Sequence, residues 1–164
     1  MILGMSVPTF TIVHVIISLI GIAAGLIVLY AMLVSRISAW TGTFLVTTIL
    51  TSVTGFLFHS KAIGPPHVVG AISLVVLLFT LLALYKFRLA GKWRAVYVST
   101  AILSLYLNVF VLVVQGFQKI PFLNQFAPLG NEPPFAIAQG LVLVAFVFLG
   151  WRALRKFHPP SSRS

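Results

Sequence analysis

The chain predicts an all-α integral membrane bundle of five transmembrane helices. Three observations carry that expectation: an overwhelmingly apolar composition, five apolar stretches of spanning length, and basic residues segregated to alternate connections. Of 164 residues, 60% are hydrophobic and 7% are charged, which is too apolar for a domain that must cover its own surface in water. A helix crossing about 30 Å of hydrocarbon needs about 20 mostly apolar residues. Stretches 9–33, 40–58, 66–85, 95–117 and 134–151 meet that test within a single domain, 1–158, followed by a short polar tail, 159–164. Their apolar runs are continuous and lack the alternation of a membrane barrel, so internal backbone pairing in lipid requires helices.

The first stretch reads as a retained span. No positive charge precedes it, and no small-x-small cleavage site follows, as a signal peptide would require. His14, Ser18, Gly21 and Gly25 recur at steps of four, three and four, which places them on one helix face. Gly21 and Gly25 form a G-x-x-x-G pair suited to close helix approach, inside the bundle or between copies. The second stretch holds Thr47, Thr48, Thr51, Ser52 and Thr54, hydroxyls that bond readily to their own helix backbone. Pro65 and Pro66 open the third and Pro133 and Pro134 the fifth, where first-turn amides are unpaired in any case. The fourth carries a heptad-spaced stripe of Tyr97, Ala101, Ser104, Asn108, Val111 and Gln115. Trp40, Tyr85, Trp93 and Trp151 fall at span ends, as interfacial aromatics do.

Five spans put Arg36, Lys86, Arg88, Lys92, Arg94, Arg152, Arg155, Lys156 and Arg163 on one side and only Lys61 and Lys119 on the other. The basic side belongs in the cytoplasm, with the amino terminus outside and the carboxyl terminus inside. Lys86, Arg88, Lys92, Arg94, Arg152, Arg155 and Lys156 read as lipid-facing anchors for anionic headgroups. No role in binding nucleic acid is expected despite the net charge of +10, because the bases lie in short clusters between apolar runs.

Cysteine and aspartate are absent and Glu132 is the single acid. Thiol chemistry, carboxylate pairs and Ser/His/Asp triads therefore lack their parts, and a coupled transporter would lack its usual intramembrane acid. The remaining polar residues gather toward the outer side. His14, Ser18, Asn108, Gln115 and Gln139 are candidates to line an outward-facing pocket, with interhelical hydrogen bonding as the alternative. The connection 118–133 mixes Ile120, Phe122, Leu123, Phe126 and Leu129 with Pro121 and Pro128 and reads as a surface lid. Glu132 within it reads as a solvated carboxylate next to proline, with pairing to Lys119 or an outer histidine as the alternative.

These parts point to a non-enzymatic accessory, small-ligand-binding or permeation module with no cofactor. One alternative is a small redox protein that holds haem b through His14 with His59 or His67, or a quinone through His14, Gln115 or Gln139. Copper held by Met1, Met5 and His14 is a weaker variant. Another is an uncoupled channel formed by an oligomer. The segments YLNVFVLVVQGFQKIPFL from Tyr106, EPPFAIAQ from Glu132 and FTIVHVIISLIGIAAG from Phe10 resemble small multi-span bacterial inner-membrane proteins. The resemblance implies a bacterial cytoplasmic membrane and no activity.

Overall fold

The computed structural model describes residues 1–58 and 64–159, with Pro65 and Pro66 described for backbone only. His59, Lys61 and the tail beyond residue 159 lie outside the described residues. The described chain is helical, in six α-helices: α1 Val7–Leu33, α2 Thr41–Phe56, α3 Pro65–Leu81, α4 Trp93–Lys119, the single turn α5 Pro121–Asn124, and α6 Pro133–Lys156. A π-helical turn, Leu82–Lys86, extends α3.

Local chemistry explains the boundaries. α1 starts two residues before the predicted span because Ser6 Oγ accepts the Thr9 amide at 3.3 Å, and proline is tolerated in the first turn. Pro65 and Pro133 open α3 and α6, as the paired prolines predict. α6 runs five residues past the expected Trp151, and its last turn carries Arg155 and Lys156, where cations complement the helix dipole. Between the π turn and α4, Arg88 and Leu89 take φ of 46° and 60°. The turn is braced by Phe87 stacked on Trp93 at 3.8 Å.

Cross-helix pairs fix an antiparallel order. On α1 and α2, Phe10 meets Phe58, His14 meets Thr54 and Gly25 meets Phe44, so α2 retraces α1 from one end toward the other. Ser52 meets Ser73 between α2 and α3, and Thr80 meets Thr100 between α3 and α4. Phe117 meets Phe135 and Tyr106 meets Phe146 between α4 and α6. Helix α4 is the hub and touches α1, α3, α5 and α6.

α1, α4, α6 and the helix 67–86 are long and apolar enough to cross a membrane, while α2 is a shorter apolar helix. Their outward surfaces are apolar, including Ile12, Ile16, Leu19, Val75, Leu78, Leu141, Val144 and Val147. In water such a continuous apolar exterior would drive association.

The core lies toward one end of the bundle, where Val28, Met32, Phe44, Leu45, Tyr97, Val98, Leu105, Ala153 and Phe157 pack together. Gly25 makes this packing feasible. A Cβ there would stand 2.5 Å from Leu105 Cδ1 and 2.9 Å from Phe44 Cε2. Gly21 likewise lies against Thr47 and Thr48, so the G-x-x-x-G face is used inside the chain, against α2 and α4.

The same end gathers the basic connections. Arg94 at the start of α4 reaches Leu154 and Phe157 at the end of α6, and Ser35 after α1 accepts the His158 amide at 2.8 Å. Arg36, the Lys86–Arg94 connection and the basic turn of α6 are thereby neighbours, as counting alternate connections requires.

Candidate functional site

Four of the five pocket candidates take separate partners. His14 Nδ1 lies 2.7 Å from Thr54 Oγ1 across the α1–α2 seam. The Thr54 hydroxyl also lies 2.6 Å from Leu50 O; when it donates there its oxygen accepts from the imidazole, in the tautomer with the proton on Nδ1 and the lone pair on Nε2. Ser18 turns back onto its own helix and donates to His14 O at 2.8 Å.

Asn108 Nδ2 donates to Thr48 Oγ1 at 3.2 Å across the α4–α2 seam. Gln139 Nε2 donates to Phe110 O at 3.1 Å across the α6–α4 seam. Gln139 Oε1 is buried without a partner. Gln115 is exposed at the carboxyl-terminal end of the α4 stripe, whose first members Tyr97, Ala101 and Ser104 are buried.

Three of these residues lie on different seams. Helix rotation sets His14, Asn108 and Gln139 each against a hydroxyl or carbonyl of a neighbouring helix, while Ser18 bonds its own helix. The Ser52–Ser73 and Thr80–Thr100 contacts, at 3.2 and 2.9 Å, extend the same pattern. Every neighbouring pair from α1–α2 to α3–α4, together with α4–α6, carries at least one polar tie. The two best-formed hollows among the described residues are lined by other side chains. One is an apolar crevice around Gly25, Phe44 and Leu105 with no room for water. The other is an open hollow of about 260 Å³ lined by Phe148, Trp151, Arg152, Arg155 and Lys156.

Of the three histidines considered as haem ligands, His14 and His67 sit beside different aromatic rings, Phe58 and Phe56. His67 Nδ1 accepts the Gly64 amide at 3.3 Å and closes the first turn of α3. His59 lies outside the described residues. Among the described residues no group of three or more His, Cys, Asp or Glu is placed to hold a metal ion.

Two further residues take backbone partners. Among the described residues Glu132 pairs with neither Lys119 nor a histidine. Its carboxylate accepts the Leu129 and Asn131 amides at 2.9 and 3.0 Å, because a short loop ending in proline brings those donors within reach. Desolvation is the largest single influence and pushes its pKa up, but the backbone amides of Leu129, Glu132, Asn131 and Gly130 together outweigh it and hold the carboxyl below the usual range. Arg94, read as a lipid-facing anchor, instead donates from Nη1 to Leu154 O at 3.0 Å and Phe157 O at 2.7 Å. Carbonyls at a helix end have no intrahelical donor, and this guanidinium supplies one from the next helix.

The 118–133 connection does fold back over the end of α4. Asn124 Nδ2 donates to Phe117 O at 3.1 Å and Leu123 lies 3.7 Å from a Cβ built on Gly116. Phe122, Phe126 and Leu129 remain exposed. No known protein family, curated protein or solved structure matches the chain.

Proposed function

We propose that this chain is a five-span membrane protein, basic end in the cytoplasm and amino terminus outside, acting as a non-catalytic accessory module. The observation that carries the proposal is the pairwise engagement of His14, Asn108 and Gln139 with the backbone and hydroxyls of neighbouring helices. Side chains committed to holding helices in register are withdrawn from chemistry, at about 0.6 kcal/mol for each interhelical bond. α2 is the fifth span. Its 16 residues reach about 24 Å, and Leu57 and Phe58 continue it alongside Phe10. Local thinning of the bilayer accommodates the shortfall. The resemblance noted above favours a bacterial cytoplasmic membrane.

One observation favours a second reading, a haem or quinone site. His14 is held at Nδ1 by Thr54 at 2.7 Å, and in the tautomer with the proton on Nδ1 its Nε2 carries the lone pair that an axial ligand or hydrogen-bond acceptor needs. Absorption spectra of the detergent-purified protein, oxidised and dithionite-reduced, with metal content on the same sample, separate the two. The accessory reading predicts a featureless, metal-free spectrum. A Soret band near one haem per chain that disappears in His14→Ala overturns it in favour of the redox reading.

A further inference from the structure

We propose that the open hollow on the carboxyl-terminal half of α6 is a binding site for the phosphate of an anionic phospholipid, built from Arg152, Arg155 and Lys156 beneath Phe148 and Trp151. The inference rests on the membrane reading above and goes beyond a general attraction between bases and lipid.

The five residues recur at i, i+3, i+4, i+7 and i+8, which sets them on one face of the helix. Phe148 and Trp151 are 52% and 49% exposed, so neighbouring helices leave this face open. Two of the cations are pre-oriented by the rings above them. The Arg155 guanidinium lies 4.5 Å from the Trp151 ring centroid and that of Arg152 lies 5.9 Å from Phe148, which limits the rotamers lost when an anion binds. A guanidinium seated over a ring still has N–H groups to direct at an anion, and its planar fork suits phosphate oxygens.

Among the described residues the charge has no acidic counterpart. Glu132, the single acid of the chain, precedes α6 at its opposite end, about 30 Å from these bases by helical rise, and its carboxylate is occupied by backbone amides. The cluster is therefore complementary to an anion from outside the chain. At about 260 Å³ the hollow is below the usual range for drug-sized ligands and suits a headgroup. Leu141 and Val144, 68% and 67% exposed, continue the face away from the basic turn and offer an acyl chain an apolar track. A lipid satisfies both the charged and the apolar halves of this surface, whereas free phosphate satisfies only the first.

Trp151 reports on the site directly. In a Trp40→Phe/Trp93→Phe background reconstituted in phosphatidylcholine vesicles, quenching of Trp151 is compared for brominated phosphatidylglycerol and brominated phosphatidylcholine at equal low mole fraction. Each base near the surface contributes about fivefold to anionic-lipid preference. The site predicts at least about tenfold more effective quenching by the anionic lipid, lost in Arg152→Gln/Arg155→Gln/Lys156→Gln and retained in Arg88→Gln/Lys92→Gln. Circular dichroism confirms that both variants stay helical. Equal quenching by the two lipids overturns the site, as does an equal loss of preference in the two variants, which would reduce the effect to total charge. Reversal of the quenching by soluble glycerophosphate would overturn the lipid as occupant in favour of a free phosphate. Absence of quenching by either lipid would instead remove the membrane reading on which the site depends.

Discussion

The two ends of the bundle hold together differently. Toward the basic end, Gly25, Phe44, Leu105 and Tyr97 interlock with no room for water, and Arg94 ties α4 to the carbonyls that close α6. Toward the other end the α4 stripe opens from buried Ser104 to half-buried Asn108 and exposed Gln115, and the packing thins to ring pairs, Phe10–Phe58 and Phe117–Phe135, and single hydrogen bonds. In lipid, where apolar burial gives helices little drive to associate, close packing should carry most of the stability and isolated polar ties a small part.

Substitutions at paired positions test this contrast. Gly25→Leu inserts atoms where a Cβ already stands 2.5 Å from Leu105, and is expected to cost about 3 kcal/mol, at the upper end for overpacking. Gly140→Leu, on the open face of α6 with nothing within 4 Å of its Cβ position, should be neutral or stabilising by up to about 1 kcal/mol through helix propensity. Thermal unfolding in detergent followed by circular dichroism compares them, and equal losses would dissolve the distinction.

Arg94→Gln removes a charged donor from two helix-end carbonyls and should cost about 2 kcal/mol. Exposed Arg152→Gln should stay within about 0.5 kcal/mol in the same assay. At the other end, Asn108→Leu and His14→Ala are each expected to cost about 0.6 kcal/mol, near the limit of detection. A loss several times larger for either would mean that the polar end carries more of the fold than its packing shows.

The smallest effect concerns the Glu132 turn. Because its carboxyl is held below the usual range, the turn is stabilised above the pKa of an ordinary glutamate. That contribution is lost as pH falls through the lower folded value. Hydrogen exchange at the Leu129 and Asn131 amides should accelerate, relative to neighbouring loop amides, on acidification through that range and in Glu132→Gln at neutral pH. Unchanged protection would show that the carboxylate does not hold the turn.

How much of this was legible in the sequence follows from the physics of each signal. Helices were readable because long apolar runs fix backbone pairing, and the proline pairs marked the starts of α3 and α6. The Gly21–Gly25 seam was readable because small residues at four-residue spacing have few other uses in such a helix. Partner identities were not readable. That Asn108 takes Thr48 and Gln139 takes a carbonyl depends on helix rotation and offset, which periodicity leaves free. Arg94 was misread because its inward turn depends on the end of α6, 60 residues away along the chain. The hollow on α6 left one sequence trace, the spacing of Phe148, Trp151, Arg152, Arg155 and Lys156, which served equally as a topology anchor.

The central claim is that α2, though short, crosses the membrane and so places the chain's basic connections together in the cytoplasm. Since the chain has no native cysteine, single cysteines on either side of α2 test it directly. In intact cells a membrane-impermeant maleimide should label Gly64→Cys, and should label Ser38→Cys only after permeabilisation. Labelling of both from the same face would make α2 a re-entrant segment and contradict the five-span account.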